Sequence, residues 1–264
     1  MTASHTRPPA VAGMFYPAGP AELHTTVRQM LDAAAPTEEP VPKAIIVPHA
    51  GYIYSGPIAA SAYARLRPAR DVIHRVILLG PSHRVPFYGL AVSTAEQFAT
   101  PLGDIPLDRE AIARISALPQ VKTLDEAHAL EHSLEVHLPF LQEVLASFTL
   151  VPLVVGDTRP EDVGEVLEML WDGPETLIVI SSDLSHYHDY DTARRMDQAT
   201  ARAIEGLRPE DIHYEDACGR NPVNGLLHLS RKLGLHAHTV DLRNSGDTAG
   251  PRDQVVGYGA WVFD

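Results

Sequence analysis

Four short runs of continuous apolar, largely β-branched residues punctuate the chain: AIIV at 44–47, RVILLG at 75–80, LVPLVVG at 150–156 and TLIVISS at 176–182. Runs of this length without polar alternation predict strands buried on both faces. Helical patterns lie between them. SGPIAASAYARL (55–66) places Ile58, Ala62 and Leu66 on one stripe with Pro57 near the first turn, and DTARRMDQATARAIEGL (191–207) repeats Met196, Thr200, Ala203 and Leu207 behind Asp191 as N-cap. Strands alternating with helices predict an α/β fold, a three-layer α/β/α arrangement with helices flanking a central sheet. Two stretches break the alternation: LAVSTAEQFATPLGDIPLD (90–108), an extended ribbon with a Pro-Leu-Gly-Asp turn, and the pair HAHTVDLRNSGD (236–247) and QVVGYGAWVF (254–263). The sheet is therefore expected to be mixed and mainly parallel.

At 264 residues, without an internal repeat, the chain is long enough for one domain spanning 1–264. The Pro-rich segment AAAPTEEPVP (33–42) is too short a connector to separate two. A net charge of −13 with scattered Lys and Arg argues against a nucleic-acid partner. The first residues lack the basic and apolar regions of a signal peptide, and no apolar run approaches the roughly 20 residues that span a bilayer. A soluble, cytoplasmic protein without a membrane partner is expected. The single cysteine, Cys218, excludes an intrachain disulfide and a Cys-rich zinc site, and reads as a small buried hydrophobe without a catalytic role. Any bound metal must then be held by histidines and carboxylates.

The chemistry collects where the buried runs end. AIIV leads into Pro48-His49, VILLG into Pro81-Ser82-His83, LVVG into Asp157 and IVISS into Asp183-Leu184-Ser185-His186. In open α/β sheets ligands bind beyond the carboxyl ends of the strands, so polar groups after separate strands can converge there. One histidine after a strand is ordinarily a solvated loop residue; three in the same context point to a site.

A fourth group sits in DEAHALEHSLEVHLPFLQEVL (125–145). On a helix, Glu131 and Glu135 are four apart, as are His128 and His132, above a stripe of Leu134, Leu138 and Leu141. Pro139 makes an unbroken helix unfavourable, and an interrupted one can turn polar groups inward, with Glu131 and His132 the first candidates to reach the pocket. The spacing in HSLEVH does not fit a zincin, no Gly-rich phosphate loop follows a strand, and neither GPSH nor ISSDLSH is a G-x-S-x-G elbow.

Seven ordered motifs, AGMFYPA (12–18), PHAGYIYSG (48–56), GPSH (80–83), TPLGD (100–104), EHSLEVHLPF (131–140), SSDLSHY (181–187) and CGRNP (218–222), resemble the Memo-like family, which includes protein B of the AmmeMemoRadiSam system. The resemblance covers nearly the whole chain. It implies a fold related to class III extradiol dioxygenases, non-haem iron enzymes that open catechol rings. It further implies that His49 and His83 are metal-binding positions and that His186 is a further active-site histidine with Asp183 beside it. In animal members the third metal-binding position is a cysteine near the C-terminus; aligning NSGDTAG (244–250) with that segment puts Thr248 there, beside Asp247. The ring-opening enzymes use a carboxylate in this role, which makes Asp247 the expected third ligand.

Two imidazoles and one carboxylate suit Fe(II), with another divalent metal as the alternative. The expected function is a metal-dependent oxidoreductase of extradiol type acting on a phenolic or catecholic small molecule, with His186 as general acid/base and Asp183 or Glu131 fixing its tautomer. Phe15 and Tyr16 are candidates for an aromatic wall. The alternative is a non-catalytic metal- or peptide-binding module in the same crevice. The resemblance also brings in a radical-enzyme partner.

Overall fold

The computed structural model describes residues 5–36 and 39–264. Positions 37 and 38 of the expected connector, and 1–4 of the N-terminal segment, lie outside the described residues. The strands are β1 (Thr6–Arg7), β2 (Ala44–Val47), β3 (Arg75–Pro81), β4 (Leu90–Val92), β5 (Gln97–Thr100), β6 (Gly103–Pro106), β7 (Val121–Thr123), β8 (Thr149–Val155), β9 (Thr176–Ser181), β10 (His186–His188), β11 (Ala237–Asn244) and β12 (Val255–Phe263).

Nine of them form one sheet with the order β10-β12-β2-β9-β3-β8-β4-β7 and β11 paired to β12. The four apolar runs are its centre: β2, β9, β3 and β8 are adjacent and parallel, and all their residues are buried except the half-buried first residues of β3 and β8. Continuous apolar sequence is what this position requires, because helices flank the sheet. Each fully buried Val, Ile or Leu contributes about 1.5–3 kcal/mol relative to exposure. The antiparallel pairings lie outside this centre, where β12 joins β2 and β4 joins β8. The 90–108 ribbon does turn back on itself as β5 and β6, which join β1 in a separate three-stranded sheet.

Helices Pro20–Ala33, Tyr52–Tyr63 and Leu138–Val144 pack on one another, and Pro160–Met169 packs with Arg220–Leu233. Helix Tyr52–Tyr63 begins three residues before the expected start, placing Pro57 inside it. It starts there because Tyr52 is anchored at both ends, its N–H donating to Phe15 O at 2.8 Å and its hydroxyl to Val136 O at 2.7 Å. Helix Tyr190–Glu205 is capped by Asp189 rather than Asp191, with the Asp189 side chain accepting from Thr192 N. Region 125–145 is broken into helix Asp125–Ala129, a 3₁₀ turn Glu135–His137 and helix Leu138–Val144. Pro139 sits in the first turn of the last of these, where its missing N–H costs nothing.

That break separates side chains which an unbroken helix would align. Glu135 is fully buried and accepts from Arg7 Nη1 at 2.5 Å, Tyr16 OH at 2.6 Å and the backbone N–H groups of Ala10 and Val11. Arg7 also donates to His128 O at 3.0 Å and Glu131 O at 2.7 Å. The N-terminal segment therefore ties down the backbone of 128–135 from behind. His128 turns away, its Nε2 bonding Ala91 O at 2.9 Å. Glu131 and His132 are left to face the carboxyl ends of the central strands.

Candidate metal centre

His49 follows β2, His83 follows β3, and His132 lies in the irregular stretch between the helices of 125–145. One ligand atom from each lies within 4.8 Å of the other two, a grouping that could hold a metal ion. The ring centroids are 5.1 Å apart for His49 and His83, 5.5 Å for His49 and His132, and 4.6 Å for His83 and His132. Gly80 allows the close approach of the third segment. A Cβ there would sit 2.7 Å from Ser133 Oγ and 2.9 Å from Leu134 Cδ2.

Each ring is held by a specific partner. His49 is 2% exposed, with its backbone N–H on Asp183 Oδ1 at 2.7 Å and its Nδ1 2.6 Å from Ser181 Oγ. His83 gives Glu131 both its backbone N–H, at 2.7 Å, and its ring Nδ1, at 2.8 Å. His132 Nδ1 is 3.4 Å from the same carboxylate, and its ring lies 4.8 Å from that of Phe15. Of the two expected aromatic residues, Phe15 lies against a ring of the cluster, while the Tyr16 hydroxyl is committed to Glu135.

Burial keeps the His49 and His132 rings neutral. Burial, reinforced by the neighbouring rings, holds His49 well below the ordinary histidine range, and burial together with His83 pushes His132 down to about 4. Burial alone would raise Glu131. The hydrogen bonds from His83 and from the His83 and Ser133 backbones outweigh it and pull the carboxyl down to about 2. A charged carboxylate can only accept, so His83 holds a proton on Nδ1 and leaves Nε2 as the ring atom not engaged by Glu131. Asp183 is raised to about 7 by burial, offset in part by the backbone N–H of His49.

Beside the cluster lies a cavity of about 560 Å³, lined by Ser82, His83, His186, His188, Tyr214 and Cys218 among others. His186 Nδ1 is 2.8 Å from Leu184 O, a contact that fixes the ring with Nδ1 as donor and leaves Nε2 unprotonated. Its tautomer is thus set by a backbone carbonyl rather than by Asp183 or Glu131, because Asp183 is turned to the His49 backbone and Glu131 to His83. Burial lowers the His186 pKa.

The structure places Asp247 outside this group. Its carboxylate accepts from Tyr190 OH at 2.6 Å and Asn244 N at 3.1 Å, closing a capping box around the turn Ser245–Asp247. Thr248 Oγ1 donates to Ser245 O at 3.3 Å in the same turn. Cys218, assigned no role from sequence, instead has its Sγ 3.4 Å from His49 Nε2. Burial and Asp183 raise its pKa, so the group is a thiol. Ser181, His137 and Cys218 are the site residues that sequence reasoning missed; they lie in the SSDLSHY, EHSLEVHLPF and CGRNP motifs respectively.

The sequence model of the Memo-like protein family matches residues 7–262. A MEMO1 family protein of Aquifex aeolicus (strain VF5) is 38% identical over 97% of this chain and 98% of its own length. One from Ignicoccus hospitalis is 36% identical over 97% and 98%, and one from Methanosarcina barkeri is 35% identical over 98% and 100%. Among solved structures, an uncharacterized protein of Escherichia coli K12 shares the fold, with a TM-score of 0.52 at 13% identity, covering 83% of this chain and 98% of that one. Among the described residues no helix is long and apolar enough to cross a membrane.

Proposed function

The chain belongs to the Memo-like protein family, and from that premise we propose that it is a metal-dependent enzyme, a non-haem Fe(II) oxidoreductase of extradiol type acting on a phenolic or catecholic small molecule. The observation that carries this reading is the convergence of His49, His83 and His132 beside a cavity that also exposes a fourth imidazole, His186. The donor set fits a metal: neutral imidazole is the ligating form, burial favours that form in His49 and His132, and Glu131 holds His83 by Nδ1 so that Nε2 is its ligand atom. Imidazole donors suit iron, copper, zinc and nickel alike, and the carboxylate of a two-histidine facial triad is not among the three grouped ligands. Fe(II) is the first metal to test and the other divalent ions its controls.

A bound ion would serve as Lewis acid and template for an oxygen-bearing substrate. The remaining work falls to the chain. His186, neutral near pH 7 with Nε2 unprotonated, takes the proton of a substrate hydroxyl and returns it later. Phe15 covers His132, and Tyr214 flanks the cavity, giving a flat aromatic ring apolar neighbours. Residues 1–264 are read as one domain, because all the buried apolar residues among those described except Ala193 and Val255 belong to one cluster.

A second reading, a metal- or peptide-binding module, is favoured by exposed apolar side chains beside Phe15, beside His186 and on the cavity lining: Met14 at 72%, Tyr187 at 71% and Tyr214 at 79%. The experiment that separates the two is anaerobic loading with Fe(II), Cu(II) or Zn(II), followed by oxygen uptake with a panel of catechols and phenols. Uptake with one metal that disappears in His186→Ala supports the enzyme; tight metal binding without uptake on any substrate supports the module.

A further inference from the structure

His137 is fully buried, yet it lies behind the three clustered rings rather than among them. Its Nε2 is 2.9 Å from Ser181 Oγ, and its Nδ1 is buried without a hydrogen-bond partner. Ser181 Oγ has three neighbours: His49 Nδ1 at 2.6 Å, His137 Nε2 at 2.9 Å and Ser133 O at 2.6 Å. A hydroxyl has one proton to donate and two lone pairs to accept with.

Only one of three proton arrangements satisfies every contact. If Ser181 donates to Ser133 O, both rings donate to Ser181, and the single group left over is a lone pair on His137 Nδ1. If Ser181 donates to His137 instead, Ser133 O loses its donor and His137 carries a buried N–H without an acceptor, the rarer and costlier orphan. If Ser181 donates to His49, Ser133 O again goes without, and the His49 proton moves to Nε2, the atom that faces Cys218 Sγ at 3.4 Å.

We infer that His137 is a positioning residue: by donating to Ser181 it commits the serine proton to Ser133 O, fixes His49 as the Nδ1–H tautomer, and keeps the metal-facing Nε2 bare. This inference rests on the metal-site reading above, but it concerns proton positions that exist before any metal binds. It explains a buried imidazole where leucine would pack at less cost.

The test is ¹⁵N NMR of the full-length, chelator-treated protein labelled at histidine. The wild type is expected to show His49 with a pyrrole-type Nδ1 and a pyridine-type Nε2. His137→Phe, which keeps an aromatic ring beside Tyr63, is expected to give His49 a mixture of tautomers and roughly 10- to 100-fold weaker Zn(II) binding in chelator competition. His137→Gln, whose amide N–H can donate to Ser181, should restore much of both. A wild-type His49 protonated on Nε2 overturns the inference, as does a His137→Phe protein with an unmixed Nδ1–H tautomer and unchanged Zn(II) affinity. If the phenylalanine variant does not fold, the wild-type spectrum decides. A wild type with the expected tautomer that binds no metal would uphold the inference and defeat the metal-site reading instead.

Discussion

The Glu131 carboxylate takes two hydrogen bonds from His83, from the backbone N–H at 2.7 Å and from ring Nδ1 at 2.8 Å. Its Oε1 also accepts from the backbone N–H groups of His132 and Ser133. One buried anion therefore orients two of the three clustered imidazoles. Glu131→Gln keeps the volume but removes the charge, and its amide must present an N–H to some of these donors. Metal affinity in chelator competition is expected to fall by roughly 10- to 100-fold with the fold retained. Unchanged affinity would show that Glu131 does not orient the ligands.

His186→Ala is expected to keep bound metal while turnover of any catechol or phenol found to react falls by roughly 10²- to 10⁴-fold. The variant removes the imidazole whose Nδ1 rests on Leu184 O. Loss of metal together with activity would move His186 into the ligand set.

The N-terminal clamp makes a stability prediction. Arg7 and Glu135 have side chains 6% and 0% exposed, and removing one partner of a buried pair costs about 3–5 kcal/mol because the other charge is left uncompensated. Arg7→Met should lose about that much in urea denaturation and also weaken metal binding, since Arg7 holds the carbonyls of His128 and Glu131. A change within ~0.5 kcal/mol would contradict the clamp.

Asp197 sets a pH dependence. It is 3% exposed, and burial raises its pKa to about 6, with the hydrogen bond from Ser185 N opposing. A carboxyl raised above its unfolded value gives stability that is complete below pH ~4 and is lost as pH rises through about 6, because the native state then holds the proton more tightly than the unfolded chain. The loss is on the order of 3 kcal/mol. Asp197→Asn keeps an oxygen for Ser185 N and should flatten that part of the stability profile, measured by denaturation at a series of pH values. A slope equal to that of wild type would contradict the assignment.

The four central strands were legible in the sequence because burial on both faces writes itself locally, as a run of apolar residues. The same runs point to His49, His83 and His186, since each ends at the sheet edge where ligands collect. What sequence leaves hidden depends on distant partners. Glu135 carries no local sign of its partner, Arg7, which lies 128 positions away in the chain. Cys218 reads as packing until Gly219 is found against β9, where a Cβ would lie 2.4 Å from Ser181 O. Asp247, flanked by Gly246, has the local look of a ligand, but its carboxylate is spent on the turn that holds it. Asp247→Asn is accordingly expected to leave metal affinity unchanged.

The central claim is a single metal centre built from His49, His83 and His132. Its most direct test is metal content per chain, by elemental analysis of anaerobically loaded protein after chelator challenge, for the wild type and for His49→Ala, His83→Ala and His132→Ala. The account predicts about one ion per chain in the wild type and a loss of most of it in each variant, with circular dichroism unchanged. Wild-type stoichiometry retained in all three folded variants would contradict it.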